Sequence, residues 1–144
     1  MKTKRIVCFL FTLFILLGCD KEPKFEIYEN HEISACGIVD PLKNSEWLSD
    51  FIDKNMESTN NITIYLYSNS ETEEESIIID ITPNGGEYSN VSANPYFWKK
   101  VYSCSGVQLF TTESGGINNE SWNNFFFSEQ NTIKGIIWYK KIIP

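Results

Sequence analysis

Asn61-Ile-Thr-Ile-Tyr-Leu-Tyr-Ser68 is an uninterrupted alternation of aliphatic residues with threonine and tyrosine. Successive side chains of an extended strand point to opposite faces of a sheet, so Ile62, Ile64 and Leu66 would share one face. A period of two that is bounded by asparagine and serine is typical of a half-buried β-strand. This stretch therefore predicts that the fold is built around a sheet.

The sequence that follows this strand repeats the same pattern. Ile77, Ile79 and Ile81 would share a face opposite Ile78. The connection over residues 69–76 carries four glutamates, which is typical of an exposed hairpin loop. The two runs together predict an antiparallel hairpin.

The rest of the chain predicts three further strands, over residues 96–104, 107–112 and 132–141. Ser105-Gly106 would form the two-residue turn between the first two of them. In the last strand, strict alternation would place Ile137 and Trp138 on opposite faces. The triplet from Phe125 to Phe127 fits neither a helical period nor a strand period, which leaves both a short helix and a buried loop open.

The apolar residues before the first strand follow a helical period instead. They recur at spacings of one, three and four residues: Trp47, Leu48, Phe51, Ile52 and Met56. Asp40 and Pro41 suit the N-cap and the first helical position. We therefore predict an α+β domain, in which one N-terminal amphipathic helix packs on an antiparallel sheet of about five strands.

The first nineteen residues have the composition of an export signal. Lys2, Lys4 and Arg5 supply positive charge, residues 6–17 are apolar, and Gly18-Cys19 ends the run. A membrane-spanning helix needs about 20 apolar residues, so this run is too short to cross a bilayer. We predict a signal peptide over residues 1–19, a tether over 20–35 with a short edge strand at 25–28, and a single domain over 36–144.

Leu16-Leu17-Gly18-Cys19 resembles the lipobox of bacterial lipoproteins. The resemblance implies that the Cys19 thiol receives a diacylglycerol, that cleavage occurs before it, and that palmitate-type chains hold the mature protein on a membrane. Each buried methylene contributes about 0.8 kcal/mol, so two or three chains suffice for a durable anchor. We expect the mature protein to be attached to the outer membrane of a bacterial cell envelope. The sequence is compatible with either the periplasmic or the surface face of that membrane.

The charge of the mature chain argues against one class of partner. Removal of the leader takes three of the twelve basic residues, which leaves nine against nineteen acidic residues and a net charge of −10. Binding to nucleic acid depends on concentrated positive charge, so we expect no nucleic-acid partner.

Two cysteines remain after Cys8 and Cys19 are assigned to the leader and the anchor. Cys36 and Cys104 form the natural disulfide candidate in an oxidising compartment. A bond between them would close a loop of about 69 residues and contribute roughly 4 kcal/mol in the chain-entropy model. The alternative is a pair of separately buried thiols.

The residue types needed for catalysis or metal binding are scarce in this sequence. His31 is the single histidine and lies in the predicted tether, which disfavours a nucleophilic triad and a zinc site. The acidic residues show no pair at a spacing that would define a glycosidase site. We therefore predict no catalytic residue, no metal and no cofactor.

Tyr96, Trp98 and Tyr102 share one face of the predicted strand over 96–104 and are the candidate partner-binding residues. Such rings stack on sugars or anchor a protein partner. The alternative is that they cover the second face of the sheet or pack under the loop from Phe125 to Phe127.

Three patches of the chain carry a further resemblance: the run from Cys36-Gly-Ile-Val-Asp-Pro-Leu42 to Trp47-Leu48, Val101-Tyr-Ser-Cys-Ser-Gly106, and Gly115-Gly-Ile117. They are similar to elements of a group of small bacterial lipoproteins of unknown function, and the resemblance brings no catalytic residue with it. We expect a non-catalytic binding or interaction module of an accessory, inhibitor or immunity type. The alternative is a small carboxylate-dependent hydrolase that acts on envelope glycans or peptides.

Overall fold

The structure is a computed structural model that describes residues 23–83, 99–111 and 124–143. Its elements in chain order are β1 (Lys24–Glu29), β2 (Ser34–Ala35), β3 (Ile38–Val39), α1 (Pro41–Asn44), α2 (Glu46–Asn55), β4 (Asn60–Asn69), β5 (Glu75–Pro83), β6 (Lys99–Tyr102), β7 (Gln108–Thr111) and β8 (Asn131–Ile143). Residues 124–126 add a short helical turn.

Six of these strands form one sheet in the order β1-β8-β4-β5-β6-β7, and β2 pairs with β3 in a separate hairpin. Every neighbouring pair in the large sheet is antiparallel. The register defines two ends. At the base, Lys24 lies opposite Ile143 and Asn61 lies opposite Thr82. At the tip, Ser68 lies opposite Glu75, and residues 69–75 and 124–131 cap the sheet.

The core lies between one face of the sheet and α2, and β4 is its centre. Ile62, Ile64 and Leu66 are buried, whereas the alternate residues of β4 are only partly buried, so the predicted alternation is confirmed. Ile77 and Ile79 of β5 pack in the same cluster. Burying each such side chain stabilises the fold by about 1.5–3 kcal/mol, so β4 and the two strands beside it, β5 and β8, supply most of the core.

The predicted fold class is wrong. The described chain opens with β1 and not with a helix, its sheet has six strands, and strand residues far outnumber helical ones. The apolar residues that predicted one helix lie in and just after α2, a ten-residue element that follows three strands. A domain that is mainly sheet with two short helices replaces the predicted α+β arrangement.

The helical segment is divided at Ser45, which has an extended backbone with φ −109° and ψ 102°. Its N–H donates to the carbonyl of Pro41, and its carbonyl accepts from Leu48 and Ser49. Ser45 therefore ends α1 and begins α2. Asp40, just before α1, has a left-handed φ of 49°. The helical period of the apolar residues does not depend on such local turns, so it does not reveal the division between α1 and α2.

β8 departs from strict alternation at two register shifts against β4. One shift leaves Ile137 without an opposing residue, because Trp138 pairs with Ile64 and Ile136 pairs with Tyr65. A bulge of this kind turns successive side chains toward the same face. Ile137 and Trp138 are consequently both buried in the core, where alternation had placed them on opposite faces.

Candidate functional site

A disulfide joins Cys36 to Cys104 with a Cα separation of 5.4 Å, which confirms the predicted bond. Cys36 and Gly37 form the tight turn between β2 and β3, and their φ angles are 58° and 72°. Two positive φ angles are the requirement of a type I′ hairpin turn. The bond therefore fastens this small hairpin to the turn that connects β6 with β7.

Trp47 of α2 packs into the β6–β7 turn beside the disulfide. Its indole N–H donates to the carbonyl of Cys104 at 3.1 Å. Gly106 has a φ of 82°, and a Cβ atom at this position would lie 2.6 Å from Cγ of Trp47. Only glycine allows the indole to approach the turn this closely.

The predicted partner-binding residues have different placements. Tyr102 is half-buried, its ring stacks on Trp47 with centroids 5.5 Å apart, and its hydroxyl donates to Gln108 at 3.3 Å. Tyr96 and Trp98 lie outside the described residues, and so does Cys19. A role of these aromatic residues in partner binding stays a prediction.

The tip carries a cleft of about 110 Å³, which we call the tip cleft. Its lining combines aromatic, hydroxyl, amide and carboxylate side chains: Tyr67, Ser68, Asn69, Glu74, Ser76, Phe125 and Asn131. Next to it, Asn124, Phe127, Ser128 and Gln130 line a shallower hollow. Phe127 is 62% exposed there, which is unusual for a phenylalanine.

Aromatic rings form one wall of the tip cleft. Tyr67 of β4 stacks on Phe125 with centroids 5.8 Å apart, and Phe126 meets both rings edge-on. Residues 124–126 are helical, and Phe125 and Phe126 pack against Tyr67 of β4, whereas Phe127 follows the helical turn and is exposed.

Side-chain amides fix the shape of the tip. Asn69 donates from its amide to Asn131 at 2.9 Å, and Asn131 donates to the carbonyl of Phe125 at 2.8 Å. The carbonyl oxygen of the Asn69 side chain accepts the backbone N–H groups of Glu71 and Thr72. A site held by such hydrogen bonds needs little ordering when it binds a ligand.

The tip is also strongly acidic. Residues 69–76 and 124–131 contain five glutamates and no lysine or arginine. Glu71, Glu73, Glu74 and Glu129 are exposed. An aromatic wall inside an acidic rim repels anionic ligands and favours partners that combine apolar with basic groups.

The base of the sheet contains a buried ammonium group. Lys140 is fully buried, and its Nζ donates to the carbonyls of Asn55 and Ser58 at 2.6 Å and of Met56 at 3.1 Å. These carbonyls belong to the end of α2 and the residues after it, where the helix dipole favours a cation. Burial lowers the pKa of Lys140. The three carbonyls, the hydroxyl of Ser58 at 3.0 Å and the ring of Phe25, 5.0 Å away, stabilise the buried cation.

His31 bridges two carboxylates at the surface. Its Nδ1 lies 2.9 Å from Asp40 and its Nε2 lies 3.2 Å from Glu29. Carboxylates only accept hydrogen bonds, so both ring nitrogens donate when the imidazole is protonated. The hydrogen bond to Asp40, followed by that to Glu29, raises the pKa of His31, and the same bond lowers the pKa of Asp40.

The comparisons with known proteins give no relative from which a function could be carried over. No protein-family model, curated protein or solved structure matches this chain. Within the described ranges, no group of three or more histidine, cysteine or acidic residues has a metal-binding arrangement. No helix in that part of the chain has the length and apolarity of a membrane span.

Proposed function

We propose that this chain is a lipid-anchored lipoprotein of the bacterial outer membrane, attached through Cys19, whose domain binds a partner without catalysing a reaction. The observation that carries the envelope assignment is the Cys36–Cys104 disulfide. Disulfides persist in oxidising compartments such as the periplasm and the cell surface. The bond and the lipobox-like leader therefore support the same destination.

The anchor is tested by growing cells with an alkyne analogue of palmitate and comparing Cys19→Ala with Cys8→Ala. We expect wild type and Cys8→Ala to incorporate the label, because Cys8 is removed with the signal. Cys19→Ala should incorporate none. Equal labelling of wild type and Cys19→Ala would refute the anchor.

For the binding activity, we propose the tip cleft and the adjoining Phe127 surface as the contact site. The support is the combination of an exposed aromatic ring, preorganised amides and an acidic rim. Aromatic residues dominate the binding energy of protein interfaces, and a charged rim selects the partner. We propose a protein partner that presents basic and apolar side chains together.

Cross-linking in native cells followed by mass spectrometry identifies the partner, and two variants test the surface. Phe127→Ser removes the exposed ring at the tip, whereas Leu109→Ser removes an apolar side chain that is 51% exposed on β7. We expect Phe127→Ser to reduce binding of the purified partner at least tenfold, which corresponds to about 1.4 kcal/mol. Leu109→Ser should leave it unchanged.

The acidic rim makes a separate prediction for the same complex. Glu71→Gln with Glu74→Gln should slow association and reduce its dependence on salt, because rim charges steer encounter. Full binding by Phe127→Ser, or association that does not depend on these glutamates, would assign the partner to another surface.

A further inference from the structure

We infer that the base of the sheet lies against the lipid headgroups of the membrane that holds Cys19, and that the tip points away from it. This inference rests on the proposed lipid anchor and adds an orientation to it. The occupant of the base is the membrane surface itself. Three properties of the described chain lead to this arrangement: where the sheet begins, how charge is distributed between its ends, and how long it is.

The sheet begins very close to the proposed anchor. Only four residues separate Cys19 from Lys24, the first residue of β1. A chain spans at most about 3.6 Å per residue, so Lys24 lies within about 18 Å of the lipidated residue whatever path the linker takes. Six residues of β1 pair in register with β8. This pairing fixes Lys24 beside Ile143, so the limit places the β1–β8 side of the base near the lipidated residue, and β4 and β5 follow at about 4.8 Å per strand.

Charge distinguishes the base from the tip. Exposed Lys24 and Lys141 flank Ile143, which is 47% exposed. Glu26 lies beside them on β1 and exposed Glu57 lies in the segment that contacts Lys140, so the charges at the base are balanced. At the other end, five glutamates have no basic residue among them. Anionic headgroups attract basic side chains and repel a cluster of carboxylates at close range. The balanced base is repelled less than the acidic tip, so electrostatics favours the same orientation as the short linker.

The length of the sheet determines how far the tip cleft lies from the membrane surface. β4 runs from base to tip over ten residues, a rise of about 30 Å. With the base on the headgroups, the tip cleft is presented well clear of the membrane surface. The partner is then reached in the space beyond the membrane and not at the lipid boundary.

The test uses the lipidated full-length protein, reconstituted in vesicles of phosphatidylethanolamine and phosphatidylglycerol that contain a headgroup-attached quencher. Thr82→Cys places a fluorophore at the base and Thr72→Cys places one in the tip turn; both threonines are exposed. The disulfide occupies Cys36 and Cys104, so each variant offers one reactive thiol. We expect several-fold stronger quenching at position 82 than at position 72.

Insertion of twenty Gly and Ser residues after Glu22 provides the matched control. The longer linker has an average span of about 25 Å and releases the base from the surface. Quenching at position 82 should then fall toward that at position 72.

The possible failures can be told apart. Equal quenching at both positions in the original protein, or stronger quenching at the tip, would overturn the orientation while leaving the anchor intact. A wild-type protein that does not sediment with the vesicles would overturn the anchor, and the orientation with it.

Discussion

The base and the tip are two ends of one sheet that are held together by different chemistry. At the base, a buried lysine joins β8 to the end of α2 through hydrogen bonds alone. Toward the tip, a disulfide lies beside Glu75, whose side chain accepts the N–H of Cys36. The stability of the base therefore depends on hydrogen bonds to one buried charge. The stability of the tip depends on an oxidising environment, which preserves the disulfide. This difference separates a buried cation that stabilises the base from a covalent bond that stabilises the domain next to the part that we propose binds a partner.

The largest effect should come from opening the disulfide. Cys36→Ser with Cys104→Ser removes a bond across 68 residues, which lowers the free energy of unfolding by about 4 kcal/mol in the chain-entropy model. Urea denaturation followed by tryptophan fluorescence measures the loss. Hydrogen exchange should show loss of protection first near Glu75 and later at the base. Equal stability of the oxidised and reduced wild type would contradict this assignment.

The next effect concerns the base. Lys140→Met should lower the free energy of unfolding by about 3 kcal/mol, because three carbonyls lose a charged donor and remain without replacement. The same denaturation assay measures it. Lys141→Met alters the exposed neighbouring lysine and should change stability by less than about 0.5 kcal/mol. Similar losses in the two variants would show that burial of Lys140 is not the cause.

A smaller effect isolates the contact between Trp47 and the β6–β7 turn. Gly106→Ala should cost about 2 kcal/mol, because the new Cβ meets the indole and φ is 82°. Gly37→Ala has a φ of 72° and no atom within 4 Å of its new Cβ, so it should cost only about 1 kcal/mol of backbone strain. The difference between the two melting curves reports the contact with Trp47. Equal losses of stability in both variants would show that the close approach of Trp47 to Gly106 does not contribute to stability.

The smallest effect is the pH dependence of the bridge at His31. Its pKa is raised above 6.5, so its stabilising contribution is complete below pH 6.5 and disappears as the pH rises through the folded-state pKa. The pKa of Asp40 is lowered below 3.8, so its contribution is complete above pH 3.8 and disappears as the pH falls through its folded-state pKa. The bridge is therefore strongest between these limits.

NMR titration of the single histidine measures this bridge directly. Asp40→Asn should lower the pKa of His31 more than Glu29→Gln, because the hydrogen bond to Asp40 is the larger cause of the shift. Asparagine tolerates the left-handed backbone at this position, so the turn is preserved. A wild-type pKa at or below 6.5 would show that the bridge does not form.

The strands were predictable from sequence where side chains alternate over a long run. β4 and β5 follow from aliphatic residues at every second position, and the edge strand β1 includes the predicted residues 25–28. The β2–β3 hairpin has strands of only two residues, which are too short to show a periodic pattern in the sequence. The left-handed backbone at Cys36 is uncommon for a residue with a side chain, so the turn was not predicted.

The tip cleft and the buried lysine were beyond the reach of sequence patterns for another reason. Tyr67 and Phe125 are separated by more than fifty residues, and each was visible only as part of its own segment. Lys140 reads as one of a lysine pair near the end of a strand, while the carbonyls around it lie 82 to 85 positions earlier. Both features depend on contacts between residues that are far apart in the sequence. The local composition does not reveal such contacts.

The position of β8 has a consequence for how the domain is assembled. β8 is the last described strand, yet it lies between β1 and β4 and pairs with both. A chain that emerges from its N-terminus can form the β4–β5 hairpin early, but β1 has no neighbour until residues 131–143 arrive. Closure of such distant ends is slow compared with local pairing. The strand nearest Cys19, the residue that we propose is lipidated, therefore pairs only after β8 has been synthesised.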